Sequence, residues 1–157
     1  MGTEIERKFV LAATPDWLDS APAEPIEQGY LAVGEGSEVR LRLIGGRPRL
    51  TVKSGAGLSR GEAEIELTEA QFEALWPLTE GRRLSKVRHR RETGDETIEV
   101  DVYGGAHDGL IVAEIEFDST DASARFAPPG WLGTEVTGDD RWANASLALN
   151  GSIPAIG

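Results

Sequence analysis

Eight stretches of this chain alternate with a period of two, and several of them carry charge of one sign along one side. They are residues 4–10, 38–43, 49–53, 62–67, 86–91, 97–103, 110–117 and 134–137. A period of two sends successive side chains to opposite faces of a strand. Glu4, Glu6 and Lys8 therefore share a face, opposite Ile5, Arg7 and Phe9. Arg40 and Arg42 oppose Val39, Leu41 and Leu43, and Lys53 opposes Val52. Glu62, Glu64 and Glu66 oppose Ala63, Ile65 and Leu67. Lys86, Arg88 and Arg90 form one run, Glu99, Asp101 and Tyr103 another, and Glu114 with Glu116 a third.

A sheet with one wet face explains alternation but not the segregation of sign. Ordinary solvent faces mix both charges along each strand, and like charges two positions apart repel. A site that binds a polyanion together with its metal requires both blocks. Cationic strands grip phosphate oxygens, and carboxylate strands hold hard divalent cations through oxygen. If the sheet curls with its charges inward, its apolar side needs cover from outside. The segment with Phe72, Leu75 and Trp76 and the segment with Trp142, Leu147 and Leu149 are the expected covers.

Glycines at 34, 36, 45, 46, 55, 57, 94, 104 and 105 separate the strands, and such short connections favour antiparallel hairpins. The stretch 55–61 lacks the GxxxxGK[ST] spacing of a phosphate loop and is expected to be a hairpin loop. Thr68 and Gln71 make a capping box for a helix over 69–76, which Pro77 stops. A second short helix is expected over 121–126, capped by Ser119 or Thr120. A third, over 140–149, ends at Asn150-Gly151, suited to a left-handed cap. The class is α+β dominated by antiparallel sheet, with one domain over 1–150 and a tail over 151–157.

Composition narrows the chemistry. Leu, Ile, Val and Phe number 37 of 157 residues, enough for a core. The formal charge of -11 argues against nucleic acid or an anionic membrane as partner. With no Cys there is no disulfide, thiol nucleophile or thiolate zinc site, and His89 and His107 cannot make a His-rich one. An acidic N-terminus and short apolar runs fit neither a signal peptide nor a spanning helix, so the cytoplasm is expected.

The residues resemble a family. Glu4-Ile-Glu6-Arg-Lys8 matches the ExExK signature of the CYTH domains, or triphosphate tunnel metalloenzymes. Gln28-Gly-Tyr30-Leu, Arg40-Leu-Arg42, Thr51-Val-Lys53, Glu62-Ala-Glu64, Lys86-Val-Arg88, Glu99-Val-Asp101 and Glu114-Ile-Glu116 follow in family order. Residues 135–144 resemble its closing segment, although Asp140 and Trp142 stand where a basic residue and a Tyr are common. The likeness spans residues 2–149 and is greatest to the short stand-alone bacterial members, which are mostly inorganic triphosphatases.

That resemblance implies an eight-stranded antiparallel barrel, a tunnel with a charged interior and helices packed outside, that hydrolyses the terminal anhydride of a linear triphosphate. It implies that Arg40, Arg42, Lys53, Lys86 and Arg88 clamp phosphates, with Arg60 and Arg90 as additions. Glu4, Glu6 and Glu116, with Glu114 and Asp101 in support, would hold Mg²⁺ or Mn²⁺, while Glu62 and Glu64 pair with tunnel cations. Lys8 would act as general base or as a fixed phosphate clamp, with Tyr30 as its hydrogen-bonding partner. The expected partner is a small-molecule triphosphate, with no nucleic acid and no membrane; a homodimer is the assembly admitted beside the monomer. A class IV-type adenylate cyclase, a thiamine triphosphatase and a non-catalytic polyphosphate-binding module are the alternatives on this scaffold.

Overall fold

Each alternating stretch contains a strand among the described residues, although the last is paired only over Thr134–Glu135. The computed structural model describes residues 5–55, 61–94 and 96–156. Their strands are β1 (Ile5–Val10), β2 (Ala23–Gly34), β3 (Ser37–Ile44), β4 (Arg47–Ser54), β5 (Gly61–Glu66), β6 (Arg83–Thr93), β7 (Glu96–Tyr103), β8 (Ile111–Phe117) and β9 (Thr134–Glu135). They make one antiparallel sheet in the order β5-β4-β3-β2-β6-β7-β8-β1-β9. Tight hairpins set the register: β3 and β4 meet across Gly45-Gly46, both at positive φ (55° and 83°), as a two-residue primed turn requires.

The alternating stretches number eight and the strands nine. The additional one is β2, which contains Pro25 and Gly29, both poor strand residues. Its register with β3 also shifts between Tyr30 and Ala32. Gly29 is required there, because a Cβ would lie 2.5 Å from Thr79 Oγ1 and 2.9 Å from the Trp76 ring. No pairing among the described residues joins β5 to the β1 side of the sheet.

Helices α1 (Glu69–Leu75) and α2 (Thr120–Arg125) follow the expected caps, whereas the helix expected over 140–149 is a 3-10 turn over Asp140–Trp142 followed, after extended Ala143, by α3 (Asn144–Asn150). Thr68 and Gln71 form the capping box, the Ser119 hydroxyl accepts from the Ala122 amide, and Gly151 closes α3 at φ 62°. Beyond α1, a 3-10 turn over Trp76–Thr79 continues past Pro77 and packs on the Gly29 side of β2. No described helix is long and apolar enough to cross a membrane.

Two apolar clusters lie on opposite faces of the sheet. One joins Phe9, Val100, Ala113, Ile115 and Phe117 with Ala122 and Phe126 of the α2 segment, as an outer helix should. The other joins Val10, Tyr30, Leu84, Tyr103 and Val112 with Trp142, Leu147 and Ala148. Those strand residues have the same parity as Lys8, Gln28, Lys86, Asp101 and Glu114, so α3 covers the charged face rather than the outer one. This corrects the expectation for the Trp142–Leu147 segment. Each strand of that face turns apolar at one end, and there the face has a core of its own.

Candidate active site

Residues directly opposite in antiparallel pairs share a face, and the register therefore gathers the charged runs. Glu62, Glu64 and Glu66 stand beside Arg49, Thr51 and Lys53, and these beside Arg42, Arg40 and Glu38. Next come Gln28 and Tyr30, then Lys86, Arg88 and Arg90, then Tyr103, Asp101 and Glu99. Glu114 and Glu116 follow, with Lys8 and Glu6 opposite them. A continuous stripe results, cationic on β4, β3 and β6 and carboxylate-rich on β7, β8 and β1. Glu4 and Arg60 lie outside the described residues, as do residues 56–60 of the expected hairpin loop.

The deepest charges are Lys86 and Asp101, both buried. Lys86 Nζ lies 2.9 Å from Asp101 Oδ2, and Arg88 donates from Nε (2.8 Å) and Nη2 (2.9 Å) to the same carboxylate. Burial pushes the Asp101 carboxyl up, but the two cations outweigh it and hold it at about 2. Burial pulls the Lys86 ammonium below its ordinary value; Asp101 opposes that shift and neighbouring Arg88 reinforces it. The partners respond differently because Asp101 faces two cations while Lys86 has one carboxylate in contact. Arg88 also reaches Glu99 at 3.6 Å, and Arg90 reaches Glu92 at 3.2 Å and Glu99 at 3.9 Å.

On β3, Arg42 Nη2 donates to Glu64 Oε2 at 2.9 Å, while Arg49 Nη1 donates to Oε1 at 2.7 Å and Thr51 to Oε2 at 3.1 Å. Burial raises the Glu64 carboxyl, and those bonds more than reverse it. Burial and the adjacent Arg40 together lower the Arg42 guanidinium. No ion pair of Arg40 occurs among the described residues, and its Nε is buried without a hydrogen-bond acceptor. Glu62 stands opposite Lys53 in the register.

Lys8 Nζ lies 3.6 Å from Glu114 Oε1 and 3.5 Å from the Trp142 carbonyl. The Tyr30 hydroxyl instead accepts from Gln28 Nε2 at 2.7 Å and lies in the field of Arg40. The expected Lys8–Tyr30 hydrogen bond is therefore absent from this arrangement, with each residue satisfied by a nearer partner. Burial raises the Tyr30 phenol, keeping it a protonated donor at neutral pH.

The carboxylate end suits a hard cation in donor type and charge. Glu99 and Glu114 face each other across β7 and β8, Glu6 faces Glu116, and all offer oxygen. Burial raises the Glu99 carboxyl, Arg88 opposes, and Asp101 and Glu114 raise it further, the signature of crowded negative charge. Among the described residues no three such groups are already drawn to metal-ligand geometry. Asp101 is committed to Lys86 and Arg88. Four participants were given no site role by the sequence reading: Arg49, and Glu99, Gln28 and Asn144, which it named only within strands or motifs. Arg49 and Glu99 have the parity of Lys53 and Asp101, which was a usable signal; Asn144 reaches the site only through the fold of residues 139–144.

No family model matches the chain. The inorganic triphosphatase of Nitrosomonas europaea is 48% identical over 154 residues, covering 97% of this chain and 99% of that protein. The chain belongs to the inorganic triphosphatase family. The member from Acetivibrio thermocellus is 37% identical and covers 96% of both chains. A solved inorganic triphosphatase superposes with a TM-score of 0.79 at 44% identity, covering 99% of each chain. A putative adenylyl cyclase from Hippeastrum with a dominant triphosphatase activity shares the fold at 17% identity, with a TM-score of 0.56 over 78% of this chain and 83% of that one. The CYTH resemblance read from the motif series is thus met by a match along almost the whole family length.

Proposed function

We propose that this triphosphatase-family chain hydrolyses inorganic tripolyphosphate, with metal dependence and with nucleoside triphosphates as weaker substrates. The observation that carries the reading is the single stripe of Arg49, Lys53, Arg40, Arg42, Lys86 and Arg88 running into Glu99, Glu114, Glu116 and Glu6 on one sheet face. The nine-stranded sheet is taken as the wall of an eight-stranded tunnel closed around that stripe, with the short β9 outside the count. Family membership and the inward core under α3 support this closure.

Phosphoryl transfer needs little covalent help from a protein; positioning and charge carry it. Arg40, with no carboxylate partner among the described residues, binds phosphate oxygens most directly. Arg42, Lys53 and Arg88 complete the clamp, Glu64 keeping Arg42 oriented and Asp101 keeping Arg88 oriented. Glu4, Glu6 and Glu116, with Glu114, would hold one or two Mg²⁺ or Mn²⁺ ions. When bound, such an ion neutralises phosphate oxygens and makes water more acidic. Lys8 either accepts the proton of the attacking water or grips phosphate. Lys86, paired with Asp101 as an ammonium, is a fixed positive charge of the same face.

The test is phosphate release from tripolyphosphate, pyrophosphate, ATP and thiamine triphosphate with Mg²⁺, Mn²⁺, Ca²⁺ or EDTA. Release is expected only with metal, fastest on tripolyphosphate, and lower by about 100-fold or more in Glu6→Ala. No metal-dependent release from any substrate would overturn the reading.

A further inference from the structure

We infer that His107 is a positioning residue for the site lysine Lys86, acting through helix α3 and Asn144; this rests on the hydrolase reading of the charged face. His107 ends the 3-10 turn between β7 and β8 and is 0% exposed, although nothing in the clamp or the carboxylate cluster uses it. Its Nε2 lies 2.6 Å from the Leu147 carbonyl. A carbonyl only accepts, so Nε2 carries the hydrogen and donates it. The same carbonyl receives the Gly151 amide at 3.0 Å, so His107 holds the closing turn of α3. Its ring also stands edge-on to Tyr103, with centroids 6.2 Å apart.

Tyr103 makes the second tie. Its hydroxyl donates to Asn144 Oδ1 at 2.6 Å, at the opposite end of α3. The same Oδ1 lies 3.5 Å from Lys86 Nζ, and the Trp142 carbonyl just upstream lies 3.5 Å from Lys8 Nζ. The segment entering α3 thus presents two neutral acceptors to two of the site lysines, Lys8 and Lys86. A lysine ammonium on a four-carbon stem has many rotamers, and ordering it costs entropy. Asp101 and Asn144 engage two of the three Lys86 N–H bonds and so set the direction in which the buried ammonium points. Asn144 can fix that direction only if α3 is seated, and His107 and Tyr103 clasp α3 at its two ends.

The experiment is a double-mutant cycle on tripolyphosphate hydrolysis with His107→Phe and Asn144→Ala, plus His107→Gln as the variant that keeps a donor. His107→Phe should lower kcat/KM by about tenfold, a fall carried by kcat rather than KM. In the Asn144→Ala background the same substitution should change kcat/KM less than threefold, because its route to Lys86 is gone. His107→Gln should recover most of the wild-type rate. Full additivity in the cycle, or lowered thermal stability with unchanged kcat and KM, would overturn the proposal. If His107→Phe does not fold, Asn144→Ala alone must still lower kcat/KM, and an unchanged value overturns it. Carbon-13 NMR of the Lys86 εCH₂ in the substrate-free protein separates this proposal from the hydrolase reading. That resonance should move in Asn144→Ala even if the wild type hydrolyses nothing, and an unmoved resonance contradicts the proposal.

Discussion

Replacing Asp101 by Asn should destabilise the protein by about 3 kcal/mol at pH 7, and the structure fixes both size and sign. Asn fills the same volume, so no cavity contributes. What is lost is the negative charge between Lys86 and Arg88, which bond to it at 2.8 to 2.9 Å. A carboxyl moved from 3.8 to about 2 on folding corresponds to about 2.5 kcal/mol of stability at neutral pH. Removing one member of a buried pair costs about 3–5 kcal/mol, because the remaining charge stays desolvated. Lys86 can shed its proton to relieve that cost, which places the expectation near the lower end. Chemical denaturation at pH 7 measures it directly, and a thermal scan should show Tm lower by about 6–12 °C. A depressed carboxyl stabilises above its unfolded pKa, and that stability is lost as pH falls through the folded value. The gap between wild type and Asp101→Asn should accordingly hold above about pH 5 and close toward pH 2. A loss below about 1 kcal/mol at pH 7, or a gap unchanged down to pH 2, would refute the assignment of Asp101 as a buried counter-ion.

Lys8→Ala should lower kcat on tripolyphosphate more than it raises KM if Lys8 accepts a proton, and a change confined to KM assigns it to the clamp. Gly29→Ala should cost about 1–3 kcal/mol in urea denaturation, since its Cβ meets Thr79 Oγ1 and the Trp76 ring; a neutral result would mean that the 3-10 turn is free to shift. Arg7 donates to Glu135 at 2.7 and 2.9 Å and to the Ser123 and Phe126 carbonyls at 3.0 and 3.2 Å. Arg7→Met should therefore loosen β9 and α2 together, seen as faster amide exchange at residues 120–136. The Arg7 bond holds the Glu135 carboxyl below its ordinary value, so that exchange protection in the wild type should persist above the ordinary carboxylate pKa and fade as pH falls through the lowered one.

How far the sequence could be read depended on how local the signal was. β1, β3 to β9 and all three helix caps are set by alternation, glycine and capping residues within a few positions of one another. β2 was hidden because its inward positions mix Ile26, Gln28 and Tyr30 and its backbone carries Pro25 and Gly29, which only make sense against β6 and the 3-10 turn. The composition of the charged face was legible from parity alone, since register preserves it. Which charges neutralise which was not, because Arg88 and Lys86 meet Asp101 through a pairing between β6 and β7 that no spacing encodes. The position of α3 failed for the same reason. Its apolar residues fit either face, and the choice rests on Val10, Leu84, Tyr103 and Val112 lining up at one end of four different strands.

The central claim is that the charged sheet face, and not the acidic surface around it, is where triphosphate is bound and cleaved. Comparing kcat/KM for tripolyphosphate in Mg²⁺ between the wild type, the Arg40→Ala/Arg42→Ala double variant and Arg125→Ala tests it most directly. Arg125 supplies a single loss of positive charge in the last turn of α2, which packs on the opposite face of the sheet. The double variant should fall by about 100-fold or more while Arg125→Ala stays within twofold. Equal activity in all three proteins would contradict the account.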